Sequence, residues 1–434
     1  MNQLLAIPFE VRLAALFVLG TCVGSLANLC IYRLAWHPRS ISPWSSPDPK
    51  APARRPTDRL PIVGWLGLRR EAGIHGSGFW IRPALLELLT GIGFAALYWW
   101  GIGCGGLLLP CLPRPFPPGL LAILHAHYAA HLALIALMLV ASMIDADERI
   151  IPDTITVPGT LLGLLVAAVY PWSLLPDLVG PLLKQIPPAF WQQVAPETWP
   201  LFLRLTSPIS HNAWPDWLGG FPHAWSLLIG LGCWWLWCFA LMPRSWYSRH
   251  GVRRAWQLFA ARLVRESATY RILVLGTIGS LAIAGGWLAG AMHWVGLLSG
   301  LVGMAAGGGL VWTVRIIGTR ILRREAMGFG DVTLMAMIGT FLGWQTCLII
   351  FFIAPFAALV VGAVQWIVRR DNVIPYGPFL CLATLIAIVR WASLWDWLWP
   401  YFAFGWLVPG MMFVGAVLLA VLLAIWERVR RALR

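Results

Sequence analysis

Two short acidic segments carry the side chains best suited to chemistry. The first runs from Asp145 to Asp153, directly after a long apolar stretch, and the second runs from Glu325 to Asp331 and contains Gly-x-Gly-Asp. Ionisable residues at a membrane border are costly and are typical of functional sites. Two carboxylates that share a site can hydrolyse a peptide, because one takes a proton from water while the other, protonated, polarises the carbonyl. This chemistry requires both segments to lie at one depth.

Each acidic residue also has a simpler structural interpretation. Asp153 is most simply the N-cap of the next helix. Asp147 and Glu148 are expected to be solvated charges, paired with Arg149 at most. Asp331 could merely favour the positive end of a helix dipole. Taken singly, none of these residues establishes a site.

The elements that would position these residues follow from composition. Of the 434 residues, 59% are apolar and only 12% are charged, whereas soluble domains carry about 25% charged residues. This excludes a disordered chain and argues against a soluble enzyme. Apolar runs of about 20 residues are long enough to cross a bilayer. We therefore predict an all-α, polytopic membrane helix bundle with ten or eleven spans. The predicted spans are 11–34, 83–103, 119–143, 154–171, 223–242, 272–291, 294–316, 331–343, 345–368, 376–394 and 403–426.

The distribution of basic residues predicts the orientation. The net charge is +14, and Lys and Arg collect on the cytoplasmic side of membrane proteins. The segments 35–82 and 243–271 are basic, whereas 172–222 holds only Lys184 and Arg204. The N-terminus is therefore predicted outside and the C-terminus in the cytoplasm, with both acidic segments on the cytoplasmic face. We expect these basic residues to contact the surface of the lipid bilayer. We expect no nucleic-acid partner.

Six blocks along the chain form a recognisable pattern. They are Gly24 to Arg33, Asp58 to Trp65, Arg82 to Gly91, Ile144 to Asp153, Glu325 to Leu334, and Ile374 to Phe379, and they cover most of 11–170 and 320–395. In sequence and in order these blocks resemble those of bacterial prepilin peptidases, the type IV leader peptidases.

The resemblance implies a membrane aspartic endopeptidase with Asp145 and Asp331 as the catalytic pair. It implies cleavage of the basic leader from prepilins or pseudopilins at the bacterial inner membrane, and in many members S-adenosylmethionine-dependent methylation of the new N-terminus. No cofactor is expected for cleavage. Residues expected to bind substrate or support the site are Gly328, Gly330, Asp153, Glu325, Asn28 and Arg33.

The chain departs from the family pattern in three ways. The loop 35–82 lacks the usual Cys pairs, so no metal site is expected there and methyl transfer is an open question. We expect Pro residues, Trp65 and an ion pair of Asp58 to hold this loop instead. Thr333 stands where a Lys usually follows the second aspartate. The segment 172–271 has the character of an insertion.

These features divide the chain into four parts. They are 1–103, with the loop 35–82; 104–171, with the first acidic segment; 172–271, an inserted external loop, span and basic loop; and 272–434, with Gly-x-Gly-Asp.

Three other functions are compatible with parts of the sequence. One is a related Gly-x-Gly-Asp intramembrane protease with another substrate. A second is a transporter in which the two aspartates carry protons or ions. The third is an inactive scaffold for pilus assembly. The pattern leaves the substrate pilin and the oligomeric state open.

Overall fold

The computed structural model describes residues 7–39, 41–108, 114–177, 204–205, 223–242, 257, 267–323, 325, 327–369, 375–402 and 407–432. Most of the predicted inserted part, 172–271, lies outside the described residues.

The described chain is built almost entirely from helices. The longer ones are α1 Phe9–Leu34, α2 Ile81–Tyr98, α3 Pro118–Glu148, α4 Asp153–Val169, α5 Ala224–Leu241, α6 Ser267–Ala289, α7 Ala291–Leu322, α8 Phe329–Leu342, α9 Trp344–Arg369, α10 Gly377–Val389, α11 Trp391–Phe402 and α12 Leu407–Ala432. Single turns of helix occur at Trp99–Gly103 and Pro171–Ser173. Two-residue strands β1, Pro176–Asp177, and β2, Arg204–Leu205, pair antiparallel.

The helical membrane class is confirmed, and each predicted span falls on a helix except 376–394, which falls on two, α10 and the start of α11. By length and apolar composition, seven described helices can cross a membrane, or eight if the bent pair α10 and α11 forms one span. Three predicted spans correspond to shorter apolar helices: α4 and α8, with only 17 and 14 residues, and the apolar part of α9, Trp344–Leu359. The axes of α10 and α11 differ by 92°. The predicted break at Gly343 is present, with Gly343 at a φ of 82° between α8 and α9.

Small residues bring the helices into close contact. A Cβ atom on Gly339 of α8 would lie 2.1 Å from the backbone oxygen of Gly303 on α7. On α1, a Cβ on Gly24 would lie 2.7 Å from the Cα of Glu87 on α2. Such contacts are typical of membrane helices, where close backbone approach supplies much of the packing energy. They fix α1 against α2 and α7 against α8.

Both acidic segments lie at one end of the bundle, which we call the site end. Helices α1 and α3 end there, and α2, α4, α8 and α10 begin there. At this end the backbone amide of Gly377 contacts Asp145, and Gly330 packs against Ile151. The common depth that two-carboxylate chemistry requires is therefore present.

The Cys-free loop 35–82 is held at the site end by polar contacts and one aromatic side chain. Trp65 is buried, and its indole N–H donates to Glu87 of α2 over 2.8 Å. Asp58 pairs with Arg70, as the sequence predicts. Glu71 pairs with Arg54 at 2.9 Å. These side chains are buried or half-buried, so their charges are paired rather than left without partners. The loop folds without thiolate ligands.

Candidate active site

Asp145 lies near the C-terminal end of α3 and is only 5% exposed. The helix stops three residues later because Arg149 takes a left-handed conformation, with a φ of 60°. The Oδ2 atom of Asp145 accepts a hydrogen bond from the backbone N–H of Gly377, at 3.0 Å. Gly377 is the first residue of α10, where free N–H groups favour a negative charge. The start of α10 therefore orients this carboxylate.

Asp331 lies in the first turn of α8 and is 6% exposed. Its carboxylate accepts a hydrogen bond from the backbone N–H of Gly328, the N-cap residue. The same carboxylate interacts electrostatically with Asp145. The structure therefore brings together the two aspartates that the sequence singled out, although they lie on different helices and far apart in the chain.

Glycines allow three chain segments to meet at the pair. A Cβ on Gly330 would lie 2.7 Å from the Cβ of Ile151, so the Gly-x-Gly-Asp segment packs directly on the turn that follows Asp145. A Cβ on Gly377 would lie 2.6 Å from the Oδ2 of Asp145. Neither position has room for a side chain. Ile151 occupies the space beside Gly330, which is half-buried, whereas Gly328 is exposed.

Tyr376 is a neighbour of the pair that sequence reasoning missed. It immediately precedes α10 and is half-buried. The Asp331 carboxylate lies close enough to interact electrostatically with the phenol of Tyr376. The phenol O–H is a hydrogen-bond donor close to Asp331. The signal was the block from Ile374 to Phe379, which opens an apolar helix directly after a basic segment.

Arg315 of α7 organises the segment that leads to Asp331. Its Nε donates to the backbone oxygen of Met327 over 2.9 Å, and its guanidinium pairs with Glu325. The guanidinium also stands over the ring of Phe329, 5.6 Å from its centroid. Glu325 is thus an exposed partner of Arg315. Arg315 also acts electrostatically on Asp331, so a cation lies near the site although position 333 is Thr.

The prediction that Asp147 and Glu148 pair with Arg149 at most is wrong. Asp147 pairs with Arg82 of α2 at 2.7 Å. Glu148 accepts hydrogen bonds from the backbone N–H groups of Trp36 and His37, at 2.6 and 3.0 Å. The cause is tertiary: the end of α3 lies against the start of α2 and the beginning of the loop 35–82. These acids hold the surroundings of the site together.

Among the hydrogen bonds of the described residues, none joins the other three predicted site residues, Asn28, Arg33 and Asp153, to the aspartate pair. Asn28 donates to the backbone oxygen of Pro83 and to Glu87, at 3.0 and 3.2 Å, and so ties α1 to α2. Arg33 is exposed at the end of α1. The N-cap interpretation of Asp153 is wrong by one residue, since Pro152 is the N-cap and the exposed Asp153 begins α4. A supporting role for these residues stays a prediction.

The part of the chain that the structure describes contains no group of three or more His, Cys, Asp or Glu side chains able to hold a metal ion. The chemistry that the arrangement offers is that of two buried carboxylates, each held by a backbone N–H, with a phenol nearby.

Comparison with protein families gives two matches. Residues 132–184 and 259–363 match the type IV leader peptidase family, and residues 18–100 match the bacterial peptidase A24 N-terminal domain. The matched ranges include Asp145, Asp331 and the loop 35–82. They leave out the whole of 185–258.

Several curated proteins are also similar, all named prepilin leader peptidase/N-methyltransferase. The Myxococcus xanthus protein is 31% identical over 35% of this chain and 39% of its own length. The Pseudomonas putida protein is 28% identical over 31% of the chain and 53% of its own length. The Neisseria gonorrhoeae protein is 30% identical over 36% and 56%. The chain therefore spans about half, or less, of these relatives. The comparison with solved structures gives no significant match.

Proposed function

Because the chain belongs to the type IV leader peptidase family, we propose that it is a membrane aspartic endopeptidase that cleaves the basic leader from prepilins or pseudopilins. The observation that carries the proposal is the buried pair of Asp145 and Asp331. Family membership favours this function over a transporter or a protease with an unrelated substrate.

In the proposed mechanism the two carboxylates share one proton, since adjacent buried carboxylates do not both ionise readily. The ionised carboxylate takes a proton from a water molecule, which attacks the scissile carbonyl carbon. The protonated carboxyl donates its hydrogen bond to the carbonyl oxygen. When the C–N bond breaks, the leaving amine takes up a proton from the pair. The two protonation states belong to the pair and are not assigned to single residues.

The backbone donors keep the pair in place for this reaction. The N–H groups of Gly377 and Gly328 hold Asp145 and Asp331 before substrate arrives, so little reorganisation is needed. The phenol of Tyr376 is a further donor, available to the oxyanion that forms at the carbonyl. A substrate helix must be unwound around the scissile bond, and its freed amides then need hydrogen-bond partners. The backbone carbonyl of the exposed Gly328 is the proposed acceptor for a substrate N–H, because the N–H of this residue already binds Asp331.

We place the site end on the cytoplasmic face of a bacterial inner membrane, because the basic loop 35–82 lies at this end. Cysteine labelling tests this assignment. In intact cells an impermeant thiol reagent should label Arg114→Cys, an exposed position at the opposite end, and should leave Ser46→Cys in the loop unlabelled. The wild-type chain gives the background of its own thiols. Labelling of Ser46→Cys alone would reverse the topology and the side from which substrate enters.

We expect cleavage to need no metal and no cofactor, because the two carboxylates supply the proton transfers with their own atoms. Addition of a chelator, or omission of S-adenosylmethionine, should leave the cleavage rate unchanged in a gel assay of purified protein. A rate that fell on chelation and recovered with added metal would contradict the two-carboxylate mechanism.

Methyl transfer is a separate proposal, because the curated relatives are also named N-methyltransferases. The buried carboxylates of the loop do not offer a free charge to the sulfonium of S-adenosylmethionine, because Asp58 and Glu71 are each paired with an arginine. Mass spectrometry of the processed substrate measures the activity directly, since methylation makes the mature N-terminus one methylene heavier.

A further inference from the structure

A groove of about 870 Å³ runs along the outer surface of α2, α3 and α10. Among the described residues that line it, Arg82 alone is charged, and nearly all the others are apolar. Several lining side chains of α2 are strongly exposed, with Leu85 at 50% and Leu89 at 64%. An apolar groove of this size on a membrane protein faces acyl chains or another apolar segment.

The length of the groove matches a membrane span. Its lining runs from Ile81, at the start of α2, to Trp100, in the helical turn that follows α2. At about 1.5 Å per residue this is a rise of about 28 Å. The hydrocarbon core of a bilayer is about 30 Å thick. Because the groove lies open on the outer surface of the bundle, it accommodates one face of a helix, and the opposite face stays in lipid.

The middle of the groove is lined by small residues. Gly93 and Ala96 of α2 face the groove, and so does Ala136 of α3. A Cβ on Gly93 would meet no atom within 4 Å, so this glycine opens onto free space and is not filled by a neighbouring helix. Small residues at a membrane helix surface allow a second helix backbone to approach closely, whereas acyl chains have no such requirement. This lining favours a helix over lipid.

One end of the groove lies at the depth of the candidate active site. Helix α3 contributes Met143 to the groove and, two residues later and therefore on the opposite face of the helix, Asp145 to the pair. Helix α10 contributes Leu385 to the groove and Gly377 to the pair. At the site end of the groove, Arg82 pairs with a carboxylate only two residues from Asp145 along α3. The groove thus ends at the depth of the carboxylates.

We propose that this groove binds the apolar helix of the substrate, the segment that follows the scissile bond. The inference rests on the proposed leader peptidase function and adds to it the surface that recognises the substrate within the membrane. The bound helix lies against Gly93 and Ala136. The extended residues at its start pass the end of α3, which separates the groove from the pair, to reach Asp145 and Asp331. The leader itself remains outside the groove.

Filling the groove tests the proposal with two substrates. One is a full-length membrane substrate, and the other is a soluble peptide that carries the leader and the scissile bond but lacks the apolar helix. Gly93→Phe should lower kcat/KM for the full-length substrate about tenfold or more, mainly through KM, as overpacking a close contact does. Cleavage of the peptide should be unchanged. Gly285→Phe on α6 is the matched control, because a Cβ there also meets no atom within 4 Å, and it should alter neither reaction.

The possible outcomes distinguish the proposal that the groove binds the substrate helix from the proposal that the protein is a leader peptidase. Unchanged cleavage of the full-length substrate by Gly93→Phe would overturn the groove proposal and leave the peptidase intact. An equal loss on both substrates would also overturn it, since the groove would then hold lipid that supports the fold. Failure of the wild type to cleave either substrate would instead contradict the proposed function.

A photocrosslinking residue gives a second measurement that does not depend on the folding of Gly93→Phe. At Leu89, which is 64% exposed, it should crosslink to the apolar helix of the full-length substrate. At Leu281 of α6, which is 71% exposed, it should not. Equal crosslinking at both positions, or none at Leu89, would contradict the proposal.

Discussion

Asn in place of Asp145 or Asp331 should abolish leader cleavage. Either change removes one of the two groups that exchange a proton with water and with the leaving amine. Proton transfer by a positioned side chain is worth about 10² to 10⁴ in rate, and the two carboxylates act as a unit. We therefore expect each single variant to lose at least about 10³-fold in kcat, with little further loss in the double variant. A gel assay of leader removal by purified protein measures this loss.

The control for this experiment is Asp147→Asn. Asp147 lies on the same helix end and is also acidic, but it pairs with Arg82 and not with the site. This variant should keep kcat within a few fold. All three variants should insert into the membrane in equal amounts, because Asn has the same shape as Asp and differs only in carrying an amide nitrogen in place of one carboxylate oxygen. Full cleavage by purified Asp145→Asn or Asp331→Asn would exclude that residue from the chemistry.

Gly377→Ala should produce the second large loss of activity. The new methyl group would lie 2.6 Å from the Oδ2 of Asp145 and 2.9 Å from the Cδ1 of Ile151. One of these two side chains must move. We expect the Asp145 carboxylate to move, because the N–H of residue 377 is its one described hydrogen-bond donor. A displacement of about 1 Å at a reacting group costs about 10²-fold in rate. We expect that loss in kcat with KM nearly unchanged, measured by steady-state cleavage of the same substrate.

Gly410→Ala is the matched control for this substitution. Gly410 lies in the first turn of α12, and a Cβ there would meet no atom within 4 Å. This variant should retain wild-type kcat. If Gly377→Ala were equally active, the start of α10 would not position Asp145, and the catalytic geometry would have to be assigned differently.

The helices could be predicted from sequence because apolar length is a local property. Even the break at Gly343 was visible, since glycine interrupts an otherwise continuous apolar run. Whether a helix crosses the whole membrane was less accessible. Apolar composition does not distinguish the 14 residues of α8, buried on all sides, from a true span. Nor does it show that α10 and α11 meet at 92°.

The candidate site was predictable only in part, for the same reason. Asp145 and Asp331 stand out because charge is rare in an apolar chain. Gly377 does not stand out, and its contact with Asp145 joins residues 232 positions apart. The role of Arg315 depends on where α7 ends relative to α8. The partner of Asp147 could not be found from neighbouring charges, since Arg82 comes from another helix.

The contacts of Glu148 have a consequence for sequence variation. Its carboxylate binds the peptide N–H groups of Trp36 and His37, at 2.6 and 3.0 Å. A peptide N–H is supplied by every amino acid except proline. The attachment of the loop to the end of α3 therefore survives nearly any replacement at positions 36 and 37. We expect position 36 to vary more freely than position 37, where the imidazole Nδ1 also lies 3.4 Å from the Glu148 carboxylate, and we expect Glu148 itself to vary least.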